Sequence, residues 1–415
     1  MLNHTLREAD LKNKKVLVRV DYNVPLDPDG KIKDDTRIKE TLPTLNYILE
    51  KGGSLILMSH LGRPKGKPDL KYSLRPAALH LEKLLNGKKV FFSEECVGEK
   101  TKTLSKQLNQ GEVLLLENVR FHPGEERNDS SYAQELASLG DLFVNDAFGS
   151  AHRAHASTVG ITQFLPSFAG FLLEKEVQVL SRLLENPAHP YFLILGGAKV
   201  SDKIGVLKQL IERIDQVIIG GGMAFTFLKA INYKIGASLV EEEQLLTVNQ
   251  MLNLYPDKIK LPVDCVAAPS LKSPEQNRVI PLSKESSDID SLQGLDIGPK
   301  TIDFFINLIR SQKPATVFWN GPMGVFELPE FSRGTFEVGK ALAERAEQGG
   351  EVVVGGGDSI SALKQLGLAN KMTHLSTGGG ASLEFLEGKS LPGITCLSGY
   401  KNVSSEHADP SYYST

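Results

Sequence analysis

The 415-residue chain reads as an α/β protein built from two doubly wound parallel-sheet domains joined by a connecting helix. Three observations predict this. Short β-rich runs alternate with helical patterns through the first half, and the same rhythm starts again in the second. Between the halves, Phe171 to Glu185 places Leu172, Leu173, Val177, Leu180, Leu183 and Leu184 at helical spacing, closed by Asn186-Pro187 and by Pro190. Finally, 415 residues exceed one ordinary core, and two domains of about 200 residues are the natural division.

In the first half the predicted strands are Val16–Val20, Ser54–Met58, Val90–Phe92, Val113–Leu116 and Leu142–Asn145, with helical patterns such as Arg75–Leu85 and Ser131–Leu139 between them. Ligands of such sheets gather beyond the carboxyl ends of the strands. The residues there are Asp21-Tyr22-Asn23 after the first strand and Ser59-His60-Leu61-Gly62-Arg63 after the second. Glu117-Asn118-Val119-Arg120 follows the fourth, and Asp146 through Arg153 the fifth; Arg37 lies in a loop-to-helix passage. One arginine after a strand is ordinarily a surface residue. Four arginines and a histidine on one sheet edge suit a small polyanion, because guanidinium forks bind carboxylate and phosphate bidentately.

The connecting helix leads to predicted strands at Phe192–Leu195, Val217–Ile219, Val263–Ala267, Thr316–Trp319, Val352–Val354 and His374–Ser376. These end in glycine turns: Gly196-Gly197, Gly220-Gly221-Gly222, Asn320-Gly321-Pro322, Gly355-Gly356-Gly357-Asp358-Ser359 and Gly378-Gly379-Gly380. Glycines let backbone N–H groups approach phosphate oxygens, and Asp358 is placed to reach Mg²⁺ carried by them. Lys199 and Lys203, after Gly196-Gly197, are expected four apart in a helix's first turn, where two cations oppose the dipole unless they share an anion. The common nucleotide fingerprints are absent: the phosphate-loop pattern fails at Leu383, and the dinucleotide pattern at Phe225, Ile360 and Leu383. The halves together suggest a phosphotransferase with a basic lobe, a glycine-lined nucleotide lobe and a cleft between.

Composition narrows the class. Hydrophobic content of 41% and charged content of 23% are those of a soluble globular protein, and a net charge of -3 argues against a general nucleic-acid binder. Cys96, Cys265 and Cys396 stand apart without metal spacing, and Met1 to Asp10 has no apolar run of signal length. No stretch is long and apolar enough for a membrane span, so a cytosolic protein is expected. A solute-binding protein would normally carry a secretory signal, and a nicotinamide-dependent dehydrogenase would need the intact glycine fingerprint.

Five segments carry a resemblance. They are Arg19-Val20-Asp21-Tyr22-Asn23-Val24-Pro25, Ser59-His60-Leu61-Gly62-Arg63-Pro64, Gly196 through Lys203, Trp319 through Glu327, and Ser376 through Ser382. In this order they resemble phosphoglycerate kinase from about residue 5 to about residue 399. The resemblance implies two Rossmann-like domains, residues 1–170 for 3-phosphoglycerate and 187–394 for nucleotide, joined by a helix and hinge at 171–186. It also implies that the segment from 395 returns to the first domain. The reaction implied is phosphoryl exchange between ATP and 3-phosphoglycerate, giving ADP and 1,3-bisphosphoglycerate, in glycolysis and its reverse. It implies Mg²⁺ with the nucleotide, a monomer, and no nucleic-acid or membrane partner.

By motif, Asp21, Asn23, Arg37, His60, Leu61, Gly62, Arg63, Arg120 and Arg153 would hold the phosphoglycerate. Lys203, Gly294, Asn320, Glu327 and Gly356-Gly357-Asp358-Ser359 would hold the nucleotide, with Lys199 beside them and Asp358 on the metal. Arg37, Lys199 and Lys203, with the turns at Gly357 and Gly379, would stabilise the moving phosphoryl group. Tyr22 stands where the family commonly has Phe, which raises the question of a partner for its hydroxyl. The stretch Tyr400–Thr415 runs past the family's usual end and is expected to be disordered.

Overall fold

The structure, a computed structural model, describes residues 4–286 and 288–397. The expectation for Tyr400–Thr415 lies outside the described residues. The chain divides into two compact units, one formed within Met1–Gln178 and continued from Lys389, the other Val179–Gly388.

The first unit holds a six-stranded sheet of β1 (Lys15–Arg19), β2 (Ser54–Met58), β3 (Val90–Phe92), β4 (Val113–Leu115), β5 (Leu142–Asn145) and β6 (Ser167–Ala169). Its order is β3-β4-β2-β1-β5-β6 and every pairing is parallel. Both faces of β2 are buried throughout, as a sheet covered on two sides requires. The register sets Arg19 level with Met58 and with Asn145. Asp21, Ser59 and Asp146 therefore all emerge at one carboxyl edge. Near the chain's described end, Gly393 N–H donates to Ala151 O at 2.8 Å and Asn145 Nδ2 to Gly393 O at 2.8 Å. Those bonds tie the returning segment to this unit.

The second unit contains β7 (Tyr191–Leu195), β8 (Gln216–Ile219), β9 (Ile259–Lys260), β10 (Asp264–Ala268), β11 (Arg278–Pro281) and β12 (Gln293–Ile297). It continues with β13 (Thr316–Asn320), β14 (Glu351–Gly355) and β15 (His374–Leu375). Six of these form a second parallel sheet, ordered β15-β14-β13-β7-β8-β9. That order reverses direction between β7 and β13, the crevice where doubly wound sheets take ligands. Asn320 is level with Leu195 on one side and Gly355 on the other, which brings three strand ends together.

One strand departs from expectation. The run near Val263–Ala267 was predicted to join the parallel sheet. It is β10, the middle of a separate antiparallel sheet ordered β11-β10-β12. Its neighbours gave weak sequence signals: β11 is exposed at three of four positions, and β12 contains Gly294. The helix Phe171–Glu185 has its predicted bounds, and the division between units falls inside it, after Gln178.

Candidate active site

In the first unit most of the predicted residues form one bonded cluster. Arg37 donates to Asp21 Oδ2 at 2.7 Å, while Asp21 Oδ1 accepts Asn23 N–H at 3.2 Å. Burial alone would raise the Asp21 carboxyl; Arg37, then His60 and Arg19, outweigh it and hold it below its ordinary value. Asn23 Oδ1 accepts Gly62 N–H at 2.9 Å, and Arg120 donates to Gly62 O at 2.9 Å. Asn118 Nδ2 donates to Leu61 O at 2.7 Å and so fixes the same loop. Burial, followed by Arg19, pushes Arg120 below the usual guanidinium value. Arg63 and Arg153 are exposed; Arg153 lies near enough for its charge to lower Arg120 as well. Tyr22 is fully buried, and its hydroxyl finds Thr41 Oγ1 at 3.1 Å.

Three residues of this cluster were not foreseen. Arg19, at the end of β1, is fully buried with Nε donating to Ser157 Oγ at 2.8 Å, one terminal nitrogen donating to Val20 O, and the other 3.2 Å from His60 Nδ1. Ser157 in turn donates from Oγ to Glu125 Oε1 at 2.6 Å and from its N–H to Oε2 at 3.0 Å. The available signal was a charge at the end of an apolar strand. A buried cation needs a partner, and Glu125 stands in a charged run that reads as solvated surface.

The second unit corrects the reading of the two lysines. They are not in a helix's first turn: the helix is Ile204–Leu210, Lys203 is its N-cap, and Lys199 lies in the loop before it. Val200 O accepts both Lys203 N–H and Ile204 N–H at 2.9 and 2.8 Å, a tight turn that delays the helix. The lysines therefore share no helical face. Lys199 is exposed, whereas Lys203 is buried. Burial lowers the Lys203 pKa, against the charges of Asp202, Asp358 and Glu241.

The glycine turns also differ among themselves. Gly221 has φ +65°, its N–H donates to Met323 O at 3.0 Å, and a Cβ there would strike the Gly197 backbone. That turn is occupied by its neighbours and offers little to a phosphate. Gly356 has φ +88° and caps the helix Gly357–Gln365, and no atom lies within 4 Å of where a Cβ on Gly357 would be. The space around Gly379 is equally open. Ser359 is fully buried with Oγ accepting Gly321 N–H at 2.7 Å, and Trp319 Nε1 donates to Gly321 O at 2.8 Å. Asn320 is buried, and its Nδ2 has no hydrogen-bond partner. An unmet donor beside an open glycine turn suits an anionic ligand. Asp358 and Glu327 are exposed, and Gly294 lies on β12 in a small cleft with Phe225, Asp296 and Met323. Burial pushes the Asp296 carboxyl up to about 7, with the N–H groups of Gly334 and Ile297 opposing.

A larger cavity of about 590 Å³ lies elsewhere in the first unit, among Arg75, Phe92, Cys96, Glu117 and His122. Its polar walls are already engaged: Glu117 accepts from Ser73 Oγ and Leu74 N–H, and Arg75 donates to Glu94. Volume alone does not make it the reactive site. Among the described residues no group of three or more His, Cys, Asp or Glu could hold a metal, and no helix is long and apolar enough to cross a membrane.

The whole chain has known relatives. The family model for phosphoglycerate kinase matches residues 6–389. The chain is 50% identical over 402 residues to the phosphoglycerate kinase of Thermosipho africanus, covering 96% of this chain and 98% of that protein. It is 52% identical over 401 residues to the enzyme of Pseudothermotoga lettingae, covering 96% and 99%. Among solved structures, phosphoglycerate kinase from Coxiella burnetii superposes with TM-score 0.81 at 40% identity, over 95% of this chain and 98% of that one. The enzyme from Pyrococcus horikoshii gives TM-score 0.82 at 32% identity, over 97% and 99%. Agreement of this extent, on both units and in order, leaves one conclusion: the chain belongs to the phosphoglycerate kinase family.

Proposed function

We propose that the protein transfers a phosphoryl group reversibly between ATP and the carboxylate of 3-phosphoglycerate, giving ADP and 1,3-bisphosphoglycerate, as in glycolysis and its reverse. The observation that carries this is the bonded cluster of Arg37 and Arg120 with His60 at one carboxyl edge, in a chain whose residues 6–389 match the phosphoglycerate kinase family. The chemistry suits the cluster. A carboxylate with a pKa of about 3.5 is already ionised at pH 7 and needs no general base. His60 and His155, a buried residue whose Nδ1 lies 3.8 Å from Glu125, are not poised to act as one: burial holds His60 well below its ordinary value and lowers His155 to about 3. What remains is alignment and stabilisation of charge on the moving group.

In this reading Arg63, Arg120 and Arg153 hold the unreactive phosphate, and Arg37 faces the carboxylate. Lys203, Lys199 and the open turns at Gly357 and Gly379 receive the nucleotide phosphates; Gly294 and Glu327 bound the rest of the nucleotide. One exposed carboxylate, Asp358, in the first turn of the helix Gly357–Gln365, fits Mg²⁺ that arrives on the nucleotide, because that ion keeps most of its ligands as water and phosphate oxygen. The bound ion would neutralise charge on those phosphates. Action as a cytosolic monomer, without nucleic acid, belongs to the same proposal. A coupled assay for ADP release from Mg-ATP tests it directly. ADP must form only when 3-phosphoglycerate is present; a protein that forms none has been misread.

A further inference from the structure

Arg19 is a cation enclosed at the end of a parallel strand, tolerable only if it is paired and fully hydrogen-bonded. Its charge partners are Glu125, reached through Ser157, and Asp21; the side chains of Arg19, Ser157 and Glu125 are all shut off from solvent. The direction of each bond follows from the groups. A guanidinium has donors and no lone pair. With Arg19 Nε donating to Ser157 Oγ, the hydroxyl proton goes to Glu125 Oε1 on the other side. At the opposite end, His60 Nδ1 sits 3.2 Å from an Arg19 terminal nitrogen and must accept. The ring proton of neutral His60 is therefore on Nε2.

We propose that Glu125 and Ser157 are positioning residues for the phosphoglycerate site, holding Arg19 against His60 Nδ1 so that His60 is kept as the neutral Nε2–H tautomer, a hydrogen-bond donor for an anionic oxygen. The other tautomer would turn a lone pair toward the same anion and repel it. This rests on the reading of the first unit as the site of the phosphorylated acid. His60 touches the substrate in that reading; Glu125 and Ser157 act through Arg19. The arrangement resembles the outer partners that orient metal-binding histidines, transferred to an anion site.

The tautomer can be read without substrate. Long-range ¹H–¹⁵N correlation on histidine-labelled protein at pH 7.5 should show His60 with an unprotonated Nδ1 and a protonated Nε2. Ser157→Ala should give a mixture of tautomers and raise KM for 3-phosphoglycerate about tenfold, as for loss of one hydrogen bond to a charged group. Ser157→Thr, which retains the hydroxyl, should restore both, and Mg-ATP affinity measured alone should not change in either variant. Glu125→Gln, which keeps the shape and loses the charge, is the second route should the alanine variant fail to fold, and it should behave like Ser157→Ala. A wild-type His60 protonated at Nδ1 overturns the inference. So does a folded Ser157→Ala or Glu125→Gln protein with unchanged tautomer and unchanged KM, or a threonine variant as impaired as the alanine one. Absence of any 3-phosphoglycerate-dependent ADP release would strike the functional reading instead, while the tautomer measurement still decides the positioning claim.

Discussion

Lys203 is 8% exposed, and burial works against its charge while three carboxylates support it. A cation kept in so costly a setting is useful where negative charge grows during reaction, since the enclosure strengthens its field. Arg37 is similarly prearranged, by its 2.7 Å bond to Asp21. Steady-state kinetics at saturating substrates should show kcat lower by at least about 10²-fold in Lys203→Ala and in Arg37→Ala, the usual cost of losing one preorganised charge contact. A variant that keeps more than a third of wild-type kcat removes its residue from the catalytic set. Residues at or just beyond strand ends, such as Asp21, His60 and Asn320, were legible because strand order dictates where strand ends gather. The Arg19–Ser157–Glu125 chain was not: it joins positions 19, 125 and 157, and no local spacing reports such a pairing. Local pattern likewise placed Lys199 and Lys203 on a helix, because it does not reveal that Val200 closes a turn first.

Among the elements, the helix Phe171–Glu185 was plain from its apolar stripe, whereas the way it begins was hidden. Asp146, fully buried beyond β5, accepts Leu172 N–H at 2.9 Å and Leu173 N–H at 3.3 Å on one oxygen, and its Oδ2 has no partner. Phe171 N–H donates to Thr44 Oγ1 at 2.9 Å alongside. Burial pushes the Asp146 carboxyl from 3.8 up to about 7, with Thr44 and the two N–H groups pulling the other way. A carboxyl whose folded pKa exceeds its unfolded value binds its proton more tightly in the native state. Its stabilising contribution is complete below about pH 4 and is lost as the pH rises to about 7. Asp146→Asn keeps an acceptor for both N–H groups and does not titrate. Urea unfolding should therefore show the variant gaining on wild type as pH goes from 5 to 8, by up to a few kcal/mol. A difference independent of pH would mean that Asp146 is ionised in the fold throughout that range. The antiparallel sheet, by contrast, was illegible because β11 and β12 lack the apolar runs that mark buried strands.

At the scale of the whole molecule, the proposed acid site belongs to one unit and the proposed nucleotide site to the other. The proposed phosphoryl transfer needs reacting atoms about 3–3.5 Å apart, and we propose that the units bring their ligands together for it. Bending at the ends of the helix Phe171–Glu185, near Gly170 and Asn186-Pro187, belongs to this proposal. Solution scattering should give a smaller radius of gyration with 3-phosphoglycerate and Mg-ADP together than with either alone. An unchanged radius, with both ligands shown to be bound, would discard the bending. The chain's one tryptophan supplies a second view. Trp319 is fully buried in the second unit, held by its bond to Gly321 O beside Asn320. All indole fluorescence therefore originates from a single dry position in that unit. During denaturation the emission shift follows the second unit alone, while far-ultraviolet circular dichroism follows both. If the units melt separately, the two curves part; added Mg-ADP should then delay the fluorescence transition, and 3-phosphoglycerate should delay only the other.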